Sequence, residues 1–327
     1  MRPEVPSFDA LIQNHGICLF TEGRSQNTIR FYQNNLQRFL KFLRERQLTE
    51  EVQSIGVAEA REFIFHLQNE VTRWENSPYT KDEKRLSPFS VQGYVRSIKA
   101  FWSWLAEEGI ILDNPMEKLK VPKVPRKIIA TFSPEQVKKM IDTLNLSETS
   151  GFRNYTIILL LLDTGIRLSE LANLEIRNID FKQSCLLVRG KGNKERIVPL
   201  GTQVRRILWR YINSYRVKPQ DTEEATLLLT NSGKPLQRRA IRLMLLRLGI
   251  KAGILGVRCS AHTFRHTFAK EFVLQGGDIF TLQHILGHSS LEMVKVYVNL
   301  AASDVSRQHR KFSPVDNVIL PENRRNT

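Results

Sequence analysis

CLLVRGKGNKERIVPL, residues 185–200, is where the hydrophobic rhythm of the chain changes. Two short apolar runs flank a turn that carries Gly190 and Gly192, so the stretch reads as strand, glycine-rich turn, strand. On either side the apolar residues return every three or four positions, the period of amphipathic helices. Downstream, the pattern predicts helices over 202–216, 236–252, 262–275, 278–286 and 290–300. Upstream, it predicts helices over 133–144, 151–163 and 168–173. The first of these opens at SPEQ, residues 133–136, which supplies a cap, a first-turn proline and a capping-box partner. The fold class is therefore mainly α, with a small β-hairpin or sheet in the second of two helical domains.

The first domain reads as four helices. Phe8 to Phe20 is the first. Ser25 then precedes a run in which Ile29, Tyr32, Leu36, Phe39, Leu40 and Leu43 recur at helical spacing. A third helix runs from Val57 to Val71. A fourth begins at Ser87-Pro88, carries Val91, Val95, Ile98, Trp102 and Leu105, and ends near Gly109. The polar stretch 76–86 reads as a surface loop. Residues 7–113 thus form a helical domain. Residues 114–127, NPMEKLKVPKVPRK, read as an extended basic linker able to lie along a phosphate backbone. A second domain occupies 128–312, and 313–327 is a tail.

Composition narrows the function classes. The chain has 327 residues, of which 41% are hydrophobic, enough for two cores. The longest apolar run, Ile157 to Leu162, falls far short of the roughly 20 residues of a membrane span. The N-terminus lacks a signal-peptide layout, and Cys18, Cys185 and Cys259 are too scattered for a disulfide framework. Both features fit a cytoplasmic protein with no membrane partner. Residues 1–120 hold 16 basic and 16 acidic side chains, so the net charge of +16 lies wholly in the second part. A basic domain of that kind suits a polyanion such as DNA, although a merely solvated basic surface would look the same.

Four stretches place polar groups beside tightly apolar sequence. DTGIRLSEL, 163–171, brings Arg167 in after a buried helix and a Thr-Gly turn. Taken alone, Arg167 reads as the partner of a structural ion pair with Glu170. RGKGNKER, 189–196, is the hairpin tip, from which Lys191 and Lys194 project. HTFRHTFA, 262–269, puts His262 and Arg265 three apart, on one helix face. His266 lies one turn on from His262 and is as well suited to internal packing. LGHSSLEMVKVY, 286–297, sets His288 at a glycine turn and Tyr297 nine residues on, with Ser289 and Ser290 as caps for a short helix. The pairs His262/His266 and His284/His288 have a spacing that zinc helices use, with Cys259 near. No glutamate follows the first histidine of either pair and no Cys-x-x-Cys occurs, so a metal site is not expected.

In this order the stretches resemble the signature of the tyrosine recombinases, the lambda-integrase and Xer-type family. TGIRLSEL, GKGNKERIVPL, HTFRHTFA, LGHSS and VYVNL each look like one of that family's motifs. The N-terminal helices resemble its core-binding, SAM-like domain. With no arm-type domain expected ahead of residue 8, the layout is similar to the simpler Xer kind. The resemblance implies a site-specific recombinase or integrase whose nucleophile is Tyr297, attacking a phosphodiester to form a 3′-phosphotyrosyl link. It implies that Arg167 and Arg265 hold the non-bridging oxygens and that His262 and His288 add hydrogen bonds, with His262 a candidate base. Lys191 would protonate the 5′-oxygen, and Glu170 would be an accessory residue that orients the site. No metal or other cofactor is implied. The partners implied are a double-stranded DNA target and further copies of the chain, a monomer off DNA becoming a tetramer on synapsed DNA. Val315, Val318, Ile319 and Leu320 of the tail would dock on a neighbouring copy. A type IB topoisomerase would share the chemistry without a synapse, and the tail and Xer-like layout favour recombination over it. A non-catalytic DNA-binding relative would be expected to lack part of the six-residue set.

Overall fold

A computed structural model of the chain describes residues 6–72, 84–124, 130–190 and 195–287, together with 309, 313 and 315. The chain divides into two compact units, Met1–Lys127 and Ile128–Thr327.

The first unit contains α1 (Phe8–Thr21), α2 (Gln26–Glu45), α3 (Val57–Asn69) and α4 (Pro88–Glu107). Ser7, Ser25 and Ser87 each accept a backbone N–H three residues on, which satisfies a donor that the first helical turn leaves open. The core is aromatic. Phe8 stacks on Phe101 at 5.5 Å between ring centroids and meets Trp102 edge-on at 5.7 Å. One buried polar bond, Asn35 Nδ2 to Ser97 Oγ at 2.9 Å, ties α2 to α4.

The segment read as an extended linker is not extended at its start. Pro115–Lys118 forms a 3-10 turn capped by Asn114, and Met116 and Leu119 are buried in the first unit's core. The cause is the apolar pair three residues apart, which gains more from burial than the prolines gain from extension. Lys99 of α4 clamps the turn. Its Nζ donates to the carbonyls of Met116 at 2.6 Å, Glu117 at 2.9 Å and Leu119 at 3.0 Å. Lys99→Met is expected to cost about 1.5–3 kcal/mol, the range for hydrogen bonds to a charged group. Urea unfolding measures this, and a loss below about 0.5 kcal/mol would mean that water replaces the ammonium.

The second unit contains α5 (Pro134–Asp142), α6 (Thr149–Thr164), α7 (Leu168–Ala172), β1 (Ile179–Asp180), β2 (Cys185–Arg189), β3 (Glu195–Pro199), α8 (Thr202–Arg210), α9 (Arg238–Lys251), α10 (Ala261–Leu274) and α11 (Ile279–Leu286). The strands pair antiparallel in the order β1-β2-β3, with Leu186 opposite Val198 and Val188 opposite Arg196. Leu186, Val188 and Val198 face the core while Ile197 is exposed, the period-two alternation of a one-sided sheet. The hairpin is as expected, and β1 is an addition to it. The helix expected over 202–216 is α-helical only to Arg210, after which Tyr211–Tyr215 widens into a π turn. The helix expected over 290–300 lies outside the described residues.

Candidate active site

Two helix ends make the site. α6 ends at Gly165, whose φ of +58° is left-handed and turns the chain sharply into Arg167. A side chain at 165 would also collide, since its Cβ would lie 2.5 Å from Phe268 Cδ1 and 2.9 Å from Leu286 Cδ2. α11 ends at Gly287, also left-handed with φ of +63°. The last carbonyls of a helix lack intrahelical partners and carry the negative end of its dipole. Three arginines take three successive carbonyls there. Arg196 Nε donates to Ile285 O at 2.7 Å, Arg265 Nη2 to Leu286 O at 2.7 Å, and Arg167 Nη2 to Gly287 O at 3.0 Å.

Arg265 comes from α10 and is 4% exposed. Its Nη1 donates to Gly165 O at 2.7 Å, so one guanidinium bridges the ends of α6 and α11. Arg167 caps α7 and remains 36% exposed at its side chain. The ion pair read from the sequence is present, with Arg167 Nη1 2.8 Å from Glu170 Oε1. It is not isolated, because the buried Glu170 carboxylate also accepts the Arg167 backbone N–H at 2.7 Å and two bonds from Arg196 at 2.9 and 2.8 Å. Burial alone would raise the Glu170 pKa, but the Arg196 and Arg167 donors outweigh it and pull it down to about 2.

His262 is exposed at the start of α10, where partial burial and the charges of Arg265 and Arg167 push its pKa below the ordinary imidazole value. The shift favours the neutral imidazole, the form that can accept a proton. His266 lies inside, edge-on to His262 at 4.4 Å between ring centroids. Burial, His262 and Arg265 push its pKa down to about 4. Among the described residues no three His, Cys, Asp or Glu side chains come together as a metal set.

The structure therefore brings together Arg167, Glu170, His262 and Arg265. Lys191, His288 and Tyr297 lie outside the described residues, as does most of the tail. Arg196 is the functional candidate that the sequence reading passed over, although its place on the strand carried the signal. Position 196 shares a face with Val198, so the alternation turns it inward.

The sequence matches the profile of the phage integrase family over residues 130–304. It is also 30% identical to tyrosine recombinase XerC of Anoxybacillus flavithermus, over 88% of this chain and 90% of that one. The chain belongs to the phage integrase family of tyrosine recombinases. Tyrosine recombinase XerD of Staphylococcus saprophyticus is 31% identical, over 90% of this chain and 94% of its own. Among solved structures, the Tn1549 transposon integrase in complex with circular intermediate DNA superposes with a TM-score of 0.67 at 21% identity. That match covers 91% of this recombinase and 99% of the integrase. A lambda integrase dimer bound to a core site gives a TM-score of 0.66 at 17% identity, covering 88% and 97%. At those identities the structural matches speak for the recombinase fold, mainly helical with a small antiparallel sheet. No helix among the described residues is long and apolar enough to cross a membrane.

Proposed function

We propose that this recombinase acts in the cytoplasm on a double-stranded DNA site, as a monomer that becomes a tetramer on synapsed DNA. The observation that carries the DNA-cleavage part of the reading is the gathering of Arg167, Arg265 and His262 at the joined ends of α6 and α11. Two guanidiniums held by backbone carbonyls are fixed before substrate arrives. They can then stabilise charge on the non-bridging oxygens of a phosphoryl transition state without reorganising. Tyr297 attacks the phosphorus and forms the 3′-phosphotyrosyl link, and the 5′-oxygen leaves with a proton from Lys191. A tyrosine with a pKa near 10 is a weak nucleophile at neutral pH, so the neutral His262 imidazole serves as its proton acceptor. His288 adds a hydrogen bond to the phosphate. The covalent link conserves the phosphodiester bond energy, so rejoining needs no nucleotide cofactor.

The test is a pool of nicked duplexes with randomised cores, in which the short 5′-hydroxyl fragment diffuses away and traps the covalent state. The full chain is expected to give an adduct that survives denaturation, and Tyr297→Phe none. Sequencing the trapped DNA then reads out the target. An adduct that persists in Tyr297→Phe would refute the nucleophile. Relaxation of supercoiled DNA without recombinant product would refute the synaptic reading in favour of a topoisomerase.

A further inference from the structure

We propose that Arg196 is a positioning residue for DNA cleavage, fixing Arg167 through Glu170 and the end of α11 through the Ile285 carbonyl. The proposal rests on the cleavage reading above. Arg196 is only 8% exposed at its side chain. A buried guanidinium costs several kcal/mol unless its donors are met. Here Nη1 and Nη2 form a two-pronged pair with both Glu170 oxygens, and Nε bonds Ile285 O.

These bonds lead directly into the site. Glu170 Oε1 is shared between Arg196 Nη1 and Arg167 Nη1, so the carboxylate sets one guanidinium against the other. At the other contact, Arg196 takes the carbonyl next to Leu286, which Arg265 holds, and two before Gly287, which Arg167 holds. Gly287 permits the approach. A Cβ there would lie 3.1 Å from Arg196 Cδ and 3.2 Å from Nε, on a backbone already left-handed. Movement of Arg196 would therefore shift Arg167 and also the end of α11 up to Gly287. A lysine could keep the charge but could not make a parallel pair and a third bond in one plane.

The test uses the full chain, the DNA selected from the nicked pool, and Arg196→Lys beside Arg196→Met. At saturating DNA, both variants are expected to form adduct at least about tenfold more slowly, with half-saturation within about twofold of the parent. A purely structural residue would not divide rate from affinity in this way. Parent-like rates in Arg196→Lys, or a loss confined to DNA affinity, would overturn the proposal. A second arm does not depend on cleavage. Among the described residues the charged groups bonded to Glu170 are Arg167, which caps its own helix, and Arg196 from β3. Arg265 of α10 is engaged by Gly165 O and Leu286 O. A carboxyl NMR titration is expected to show the Glu170 midpoint at least about one pH unit higher in Arg196→Met than in the parent. An unchanged midpoint would overturn the proposal. If the parent forms no adduct while the midpoint still moves, the cleavage reading fails and the coupling of Arg196 to Glu170 stands.

Discussion

Glu170→Ala is expected to destabilise the second unit by about 3–5 kcal/mol, the cost of removing one partner from a buried ion pair. The carboxylate is nearly inaccessible and accepts four bonds, two of them from an arginine that is itself buried. Without it, Arg196 retains its charge in a low-dielectric site where, among the described residues, its remaining bond is to the Ile285 carbonyl. The half-exposed Arg167 can recover water, so most of the penalty comes from Arg196. Chemical unfolding of the full chain measures the loss, and a change below about 1 kcal/mol would show that Arg196 escapes to solvent. The same pair makes stability depend on pH in a defined direction. The Glu170 pKa is depressed from 4.5 to about 2 in the folded chain. A depressed carboxyl contributes stability above its unfolded pKa and loses it as pH falls through the folded one. The advantage of the parent over Glu170→Gln is therefore expected to be flat above pH 5 and to shrink between about 4.5 and 2. Thermal midpoints taken across that range would check it, and an advantage that grew on acidification would contradict it.

The reach of sequence reasoning differs from one part of the site to another. Arg167, Glu170, His262 and Arg265 were picked out because each sits in a short motif that resembles one of the family's, whereas spacing alone only put His262 and Arg265 on one helix face and paired Arg167 with Glu170. Of their partners, only the Arg167–Glu170 pair was legible. Four of the guanidinium bonds that build the site end on backbone oxygens at helix ends. A backbone acceptor has no residue identity to read. Arg196 was missed for a different reason. An arginine at the end of RGKGNKER reads as part of a solvated basic tip, and only counting in twos back from Val198 turns it inward. The strand β1 escaped because two residues carry no measurable period. In the linker, proline and lysine content outweighed Met116 and Leu119, whose burial depends on a groove that only the folded first unit supplies. The capped helices of that unit were the easiest part, since a serine cap and an apolar stripe are both local signals.

Arg265→Lys is expected to slow adduct formation by about 10²–10³-fold, the usual loss when one fixed donor to a developing oxyanion is removed. The substitution preserves the charge, so long-range attraction for DNA is little changed and affinity is expected to hold. The fork is what is lost. Arg265 spans the ends of α6 and α11 by donating to Gly165 O and Leu286 O through separate nitrogens. An ammonium on a flexible stem cannot point at both carbonyls and at a phosphate oxygen together. Gly165 sits two residues before Arg167, and Leu286 is next to the carbonyl that Arg167 takes. Loosening the bridge therefore misplaces the second arginine as well as the first. For that reason Arg265→Lys and Arg167→Lys are expected to combine to much less than the product of their separate effects. Single-turnover rates on the selected DNA for both single variants and the double variant test this. A loss below about tenfold in Arg265→Lys, or fully multiplicative losses in the double variant, would mean that the two guanidiniums act independently and that the carbonyl bridge does not set their geometry.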